Sequence, residues 1–502
     1  MTISFNDIPS DILTPGHFVE IDPTGAIEGT GARPHKALII GYRYNGGSAS
    51  DSSGITFPTG TVAENIPTRV TSESDAQGFA GRGSQGAIMA AAWLNVNERT
   101  DTYLMGIDDP TGTNATGTIT FTASTPSAGV QNCYVAGTRY QVSVNTSSTA
   151  TTLGDSLESL VNADLDTPAT AVNAAGTVTF TATHPGPEGN DIDLRVNYRD
   201  TDSTPAGVTA VAVAMSSGAT SVDLSTAIAA LGGTQYDTIV CGMRDAANVT
   251  LLEAELLDRW GPMVNLDGHL FVGISDTQGN TTTYTTAPAR NSEQTTVCCA
   301  QESPTAPWVV AANVGGLDAA ATTDDPARPR TTLRCKDVLA PEAGDLWTQT
   351  ERNVVLQSGG ATLKTDGGGN VIIERLTTTY QKNAQGAPDP TWLDLTTKRT
   401  VSYLRWNWDT RITLKFPRHK LASDGTNFDA GQAVVTPSTI RAEAIAWFSE
   451  MENAGLVEDL DQFRTDLIVE RNSTDFNRID AILRPNAINK FVVSATRLQF
   501  RL

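Results

Sequence analysis

The feature that most constrains the fold is an interruption. Short apolar runs alternate with helical segments up to about residue 107, stop, and resume near residue 237. Ala37-Leu38-Ile39-Ile40-Gly41 reads as a buried strand between turn-forming residues, and Thr102 to Ile107 as a second. The stretch from Gly86 to Leu94 between them reads as a buried helix. That rhythm belongs to an α/β layer. It restarts with a strand at Asp237 to Gly242, a helix over Asn248 to Trp260 and a strand at His269 to Gly273. The intervening residues 108–234 hold three Lys+Arg against twelve Asp+Glu and are rich in Thr, Ala, Ser and Gly. Strands are expected there at Thr118 to Thr122, Arg139 to Val144, Thr177 to Thr181 and Ile192 to Val196, with one helix over Thr152 to Ala163. Leu153, Leu157 and Leu160 are spaced for one face of that helix. The expected fold is α/β (α+β) and multidomain: a discontinuous α/β core with an inserted, protruding β-rich domain.

Both ends of the chain lack a local partner. Thr2-Ile3-Ser4-Phe5 alternates like a short strand, and Pro9, Pro15 and Pro23 then prevent a long helix or central strand. At the other end, Phe491, Val493 and Ala495 share one strand face while Leu498, Phe500 and Leu502 share the other. That phase change implies a bulge or a strand packed on both sides. Between core and tail, Thr436-Pro437-Ser438 opens a helix that Gly455 closes, with Ile440, Ala444, Trp447, Phe448 and Met451 on its apolar face. The alternation through Tyr403-Leu404-Arg405-Trp406-Asn407-Trp408 reads as a strand. The expected domains are an N-terminal arm, 1–25; the core, 26–107 and 235–372; the insertion, 108–234; a C-terminal inner α+β domain, 373–489; and a C-terminal arm strand, 490–502. Linkers are expected over Asp11 to Gly31 and Arg484 to Asn489.

Charge and motifs argue against most chemistry. The formal net charge is -21, which disfavours a polyanionic partner, so no nucleic acid is expected. Residues 371–502 alone are nearly balanced, with 17 Lys+Arg and 16 Asp+Glu. No apolar run is long enough for membrane insertion. The first twenty residues lack the basic and apolar regions of a signal peptide. Gly81-Arg82-Gly83-Ser84-Gln85-Gly86 matches a dinucleotide fingerprint, but the residues before it, Ser74 to Ala80, do not form the required strand. The bland reading is a glycine loop that lets backbone approach a helix start. Five scattered histidines and the adjacent pair Cys298-Cys299 show no metal-ligand spacing, and no G-x-S-x-G elbow occurs. The expectation is no catalytic residue, no metal and no cofactor.

Several segments carry a resemblance. ISFNDIPSDILTPGHFVEID at the N-terminus, GRGSQGAIMAAAW from Gly81 and HPGPEGNDIDLRVNY from His184 resemble tail sheath subunits of Mu-like contractile-tailed phages. So do DPTWLDLTTKRTVSYLRWNWDTRITLKFPRHKLASDG from Asp389 and the stretch that begins TPSTIRAEAIAWFSEMENAGL at Thr436. Their order and spacing span most of the chain. The resemblance implies hexameric rings stacked helically around a tail tube protein, bounded by baseplate and tail terminator proteins. It also implies contraction that drives the tube through a bacterial envelope for genome ejection. A virion location follows, with assembly in the host cytoplasm.

On this reading the unpartnered ends suit strand addition between neighbouring copies. Ile3, Phe5 and Ile8 are the N-terminal candidates; Phe491, Val493, Ala495, Leu498 and Phe500 are the C-terminal ones. Arg441, Glu443, Glu450 and Glu452 on the helix after Thr436 are candidates for facing the tube. An R-type bacteriocin or another contractile injection system fits the same residues. A glycan-binding β-rich adhesin and a nucleotide-dependent oxidoreductase are the readings of other classes.

Overall fold

A computed structural model describes residues 33–46, 55–287, 290–429 and 431–501. Ile3, Phe5 and Ile8 lie outside the described residues. The first half of the core runs β1 (Lys36–Tyr42), β2 (Thr68–Val70), α1 (Glu73–Ala80), α2 (Gln85–Leu94) and β3 (Asp101–Ile107). β1 pairs in parallel with β3, Ile39 opposite Leu104. The loop joining α1 to α2 is the glycine motif. A helix, not a strand, runs into Gly81, and Ser84 caps α2 by accepting from the Ala87 N–H. Gly83 has φ +83°, and a Cβ there would sit 1.9 Å from the Leu165 carbonyl oxygen. Glycine is therefore required for close backbone approach.

The inserted domain follows as β4 (Asn114–Ala123), β5 (Gly129–Val135), β6 (Thr138–Val144), α3 (Ala150–Ala163), β7 (Ala169–Ala174), β8 (Thr177–Pro185), β9 (Leu194–Val196) and β10 (Val208–Ser216). These strands form two antiparallel sheets, ordered β10-β4-β8-β7 and β6-β5-β9. The strand expected over Ile192 to Val196 is confined to β9, because Pro187–Asp191 forms a 3-10 turn just before it. Leu153, Leu157 and Val161 bury the inner face of α3, whereas Leu160 is 40% exposed. The spacing i, i+4, i+8 wins over the leucine count. The insertion is bonded to the core: Tyr42 donates to Glu188, His184 stacks on Tyr42 and Tyr44, and Arg244 forks onto Asp191.

The core then resumes with α4 (Ser225–Ala229), β11 (Thr238–Cys241), α5 (Ala246–Trp260), β12 (Leu270–Ile274), α6 (Gln278–Thr285), β13 (Thr295–Cys299), α7 (Pro307–Asp324), α8 (Gln349–Gln357), β14 (Gly360–Thr365) and β15 (Val371–Arg375). The completed sheet is ordered β15-β14-β13-β12-β11-β1-β3-β2. β11 lies on the other side of β1 from β3, so the chain leaves and re-enters the core beside one central strand. Central strands are buried on both faces, as parallel sheets require. Cys298 therefore points into the cluster containing Trp93, Val310 and Phe271, and Cys299 into the opposite one with Leu252 and Val355. The adjacent thiols face opposite layers; both are free, and burial raises both pKa values.

The C-terminal domain comprises α9 (Leu395–Lys415), β16 (Lys420–Leu421), β17 (Val434–Val435), α10 (Pro437–Asn453), β18 (Val457–Glu458), α11 (Leu460–Asp466), β19 (Ile468–Arg471), β20 (Ile479–Ile482) and β21 (Asn486–Ala487). The strand expected over Tyr403 to Trp408 is instead the middle of α9. Its buried positions include Lys398, Arg399, Thr400, Ser402, Asn407 and Arg411, so its inner face is written in polar residues that a hydrophobic pattern does not detect. α10 is as expected: Thr436 caps it, Gly455 with φ +71° follows it, and Ile440, Ala444, Trp447, Phe448 and Met451 are buried. The segment expected as a linker, Arg484 to Asn489, contains β21, which pairs with β18.

Candidate functional site: the C-terminal surface and its anchorage

The C-terminal domain is held to the core by buried charge. Asp318 on α7 is fully buried; Arg330 Nε reaches one of its oxygens at 2.9 Å and Arg399 Nη2 the other at 2.8 Å. Burial opposes ionisation of Asp318, yet the two guanidinium groups hold its pKa below the usual carboxylate value. Arg399 also donates to the Asp237 carbonyl at 2.6 Å and to the Thr238 hydroxyl at 2.9 Å, tying α9 to the start of β11. Beside it, Asp267 accepts from Arg33 at 3.2 Å, from Ser402 at 3.2 Å and from Arg405. A cavity of about 250 Å³ opens here, lined in part by Arg33, His35, Asp267 and Lys398. Burial lowers His35 to about 4, so its ring is neutral at physiological pH.

Past β21 the chain is anchored by the Ile488 N–H on the Leu456 carbonyl at 3.0 Å, and by Lys490 on the Thr397 hydroxyl. From there to residue 501 it makes no strand pairing among the described residues. Phe491, Val493, Leu498 and Phe500 are 84%, 79%, 87% and 79% exposed, and Ala495 is exposed as well. Single exposed hydrophobics are ordinary, but a run of this density on unpaired backbone is not. The β19–β20 hairpin stands nearby in sequence as an isolated two-stranded sheet, with Ile468, Phe476 and Ile482 exposed. Such a pair is marginal alone and has open hydrogen-bonding edges. The reading of the sequence passed over this hairpin, although Ile468 to Arg471 and Ile479 to Ile482 flank a turn-forming Asn-Ser-Thr-Asp stretch.

The polar α10 residues have partners inside the domain. Arg441 donates to the Leu467 and Arg464 carbonyls, Glu443 binds Arg411 and Lys415, Glu450 takes both terminal nitrogens of Arg411, and Glu452 accepts from the Leu460 N–H. Burial would raise Glu443, but Lys415 and Arg411 hold it below its ordinary value. Only Glu450 of the two ion-paired glutamates keeps a largely open side chain, 53% exposed against 15% for Glu443. Among the described residues no group of three His, Cys, Asp or Glu is placed to hold a metal, and no helix is long and apolar enough to cross a membrane.

Fold and surface together define a multidomain α/β protein whose tail offers unpaired backbone and apolar side chains. The comparisons make this specific. Residues 217–379 match the phage tail sheath protein central domain and residues 387–501 the phage tail sheath C-terminal domain. The chain is 37% identical over 503 residues to the Mu-like prophage FluMu tail sheath protein of Haemophilus influenzae, covering 100% of both. Among solved structures it is similar to the sheath tail protein of Listeria innocua, at 12% identity, 92% and 94% coverage and a TM-score of 0.48. It is also similar to the contracted PVC sheath complex of an extracellular contractile injection system, at 9% identity, 97% coverage of each chain and a TM-score of 0.47. The chain belongs to the phage tail sheath family and is a structural component of a phage tail.

Proposed function

We propose that this subunit polymerises by β-strand donation into hexameric rings stacked helically around a tail tube, and that contraction of the stack drives the tube through the bacterial envelope. The observation that carries this reading is the unpaired, apolar C-terminal run, Phe491 to Phe500. A strand added at an open edge satisfies its own N–H and C=O groups and those of the acceptor. Head-to-tail contacts of this kind build rings or helical stacks instead of closed dimers. Phe491, Val493, Ala495, Leu498 and Phe500 act as the donated strand, and the β19–β20 edges are its acceptor on a neighbouring copy. Ile3, Phe5 and Ile8 form the second donated strand.

The subunit acts mechanically, not as an enzyme, through bistable packing between copies. The α10 face bearing Arg441, Glu443, Glu450 and Glu452 lies toward the tube, with Glu450 the most available contact. Weak polar contact there lets the sheath release the tube, while baseplate and terminator proteins bound the stack. Assembly takes place in the host cytoplasm, and the product is part of the virion. Deleting residues 490–502 is the direct test. Electron microscopy should show rings or striated tubes for the full chain, and folded, dispersed subunits for the truncation. Ordered sheaths from the truncated chain would remove strand donation by this tail from the account.

A further inference from the structure

One buried pair is left unused by this reading. Lys398, on the first turn of α9, is 1% exposed, and Gln294, immediately before β13, is wholly buried. Among the described residues the Lys398 ammonium has no carboxylate within ion-pairing distance. Its contacts are the Gln294 side-chain oxygen, the Gly268 carbonyl at 3.4 Å and the Trp260 ring at 4.6 Å from the centroid. A buried lysine is normally paired or absent. On the other side, the Gln294 amide nitrogen is buried without a hydrogen-bond partner among the described residues. An amine is thus held against a carboxamide whose nitrogen has no hydrogen-bond partner among the described residues.

We propose that Lys398 and Gln294 form an intramolecular isopeptide bond joining the C-terminal domain to the core sheet. The lone pair of the neutral Lys398 Nζ adds to Cδ of Gln294, forming the new C–N bond and placing negative charge on Oε1. Collapse of the tetrahedral carbon breaks the Cδ–Nε2 bond. Nε2 leaves with its own two protons and one from Nζ, as ammonia, so no oxidant, nucleotide or other reagent is consumed. The attacking amine must be unprotonated. Burial, aided by Arg399 and Arg405 and opposed by Asp267 and Glu293, brings Lys398 down to about 7, so a large share is neutral at physiological pH.

The bond would tie α9, at the position next in sequence to the Arg399 that bridges to Asp318, to the residue before β13. The inference is independent of how copies of the subunit pair. Its test is the mass of the full-length protein, denatured and then digested with trypsin. The expected intact mass is that of the sequence less one ammonia. Cleavage after Lys398 should be lost, and a branched peptide should join the Lys398 and Gln294 segments. Lys398→Arg should restore the sequence mass. An unshifted mass with cleavage after Lys398, or an ammonia loss mapped to any other residues, would overturn the proposal; the wild-type measurement decides this even if the variant fails to fold.

Discussion

Asp318 accepts from two arginines that belong to different parts of the chain, Arg330 after α7 and Arg399 on α9. Removing one member of such a buried set leaves uncompensated charge. Asp318→Asn should therefore lower stability by about 3–5 kcal/mol, read from the urea midpoint. Glu188 presents the opposite case. Burial raises its pKa to about 7, Asp245 and Asp191 push the same way, and its own backbone N–H and the Tyr42 hydroxyl pull it down. Because the folded pKa exceeds the unfolded value, the stabilisation from the protonated form is complete below about 4.5 and is lost as pH rises through about 7. Glu188→Gln should flatten that slope and stabilise the protein at pH 8 relative to wild type, by on the order of 3 kcal/mol. A variant with an unchanged pH profile would show that Glu188 does not titrate in this range. Neither partner set was legible from residue types alone: Asp318 and Arg399 lie 81 positions apart, and only tertiary contact selects them from the charged residues available.

At the scale of elements, local signals worked where apolar periodicity and capping agreed. The helix opening at Thr436 follows from the Thr-Pro start, and Thr436→Ala should cost about 1 kcal/mol in thermal or chemical unfolding. In α3 the decisive periodicity is Leu153-Leu157-Val161. Leu157→Ala is expected to cost about 2–5 kcal/mol and Leu160→Ala no more than about 0.5 kcal/mol. Equal costs would restore the leucine-only reading of that face. α9 shows why legibility fails. Besides Leu395 and Leu404, its buried face carries Arg399, Ser402, Asn407 and Arg411, satisfied by Asp318, Asp267, Trp447, Glu443 and Glu450, so most of the burial there leaves no hydrophobic trace in the sequence. The β19–β20 hairpin was missed for a related reason: two four-residue strands with half their residues charged or small give too weak an alternation to stand out.

For the molecule as a whole, the net charge of -21 sets neighbouring copies against one another, while donated strands would join through uncharged backbone. If backbone pairing dominates assembly, raising ionic strength should lengthen or multiply tubes, since screening weakens the repulsion and leaves the ladders intact. Loss of tubes with added salt, followed by light scattering and electron microscopy, would instead mark ionic contacts as the adhesive. The sequence by itself determined the α/β class, the break in the core and the family, because strand and helix periods and ordered motifs are local properties that survive any arrangement in space. Only the tertiary structure decided that β3 and β11 flank one strand, that α9 is a helix clamped by buried arginines, and that Lys398 meets Gln294. Those facts depend on which distant polar groups can satisfy each other once water is excluded, and no local pattern encodes that choice.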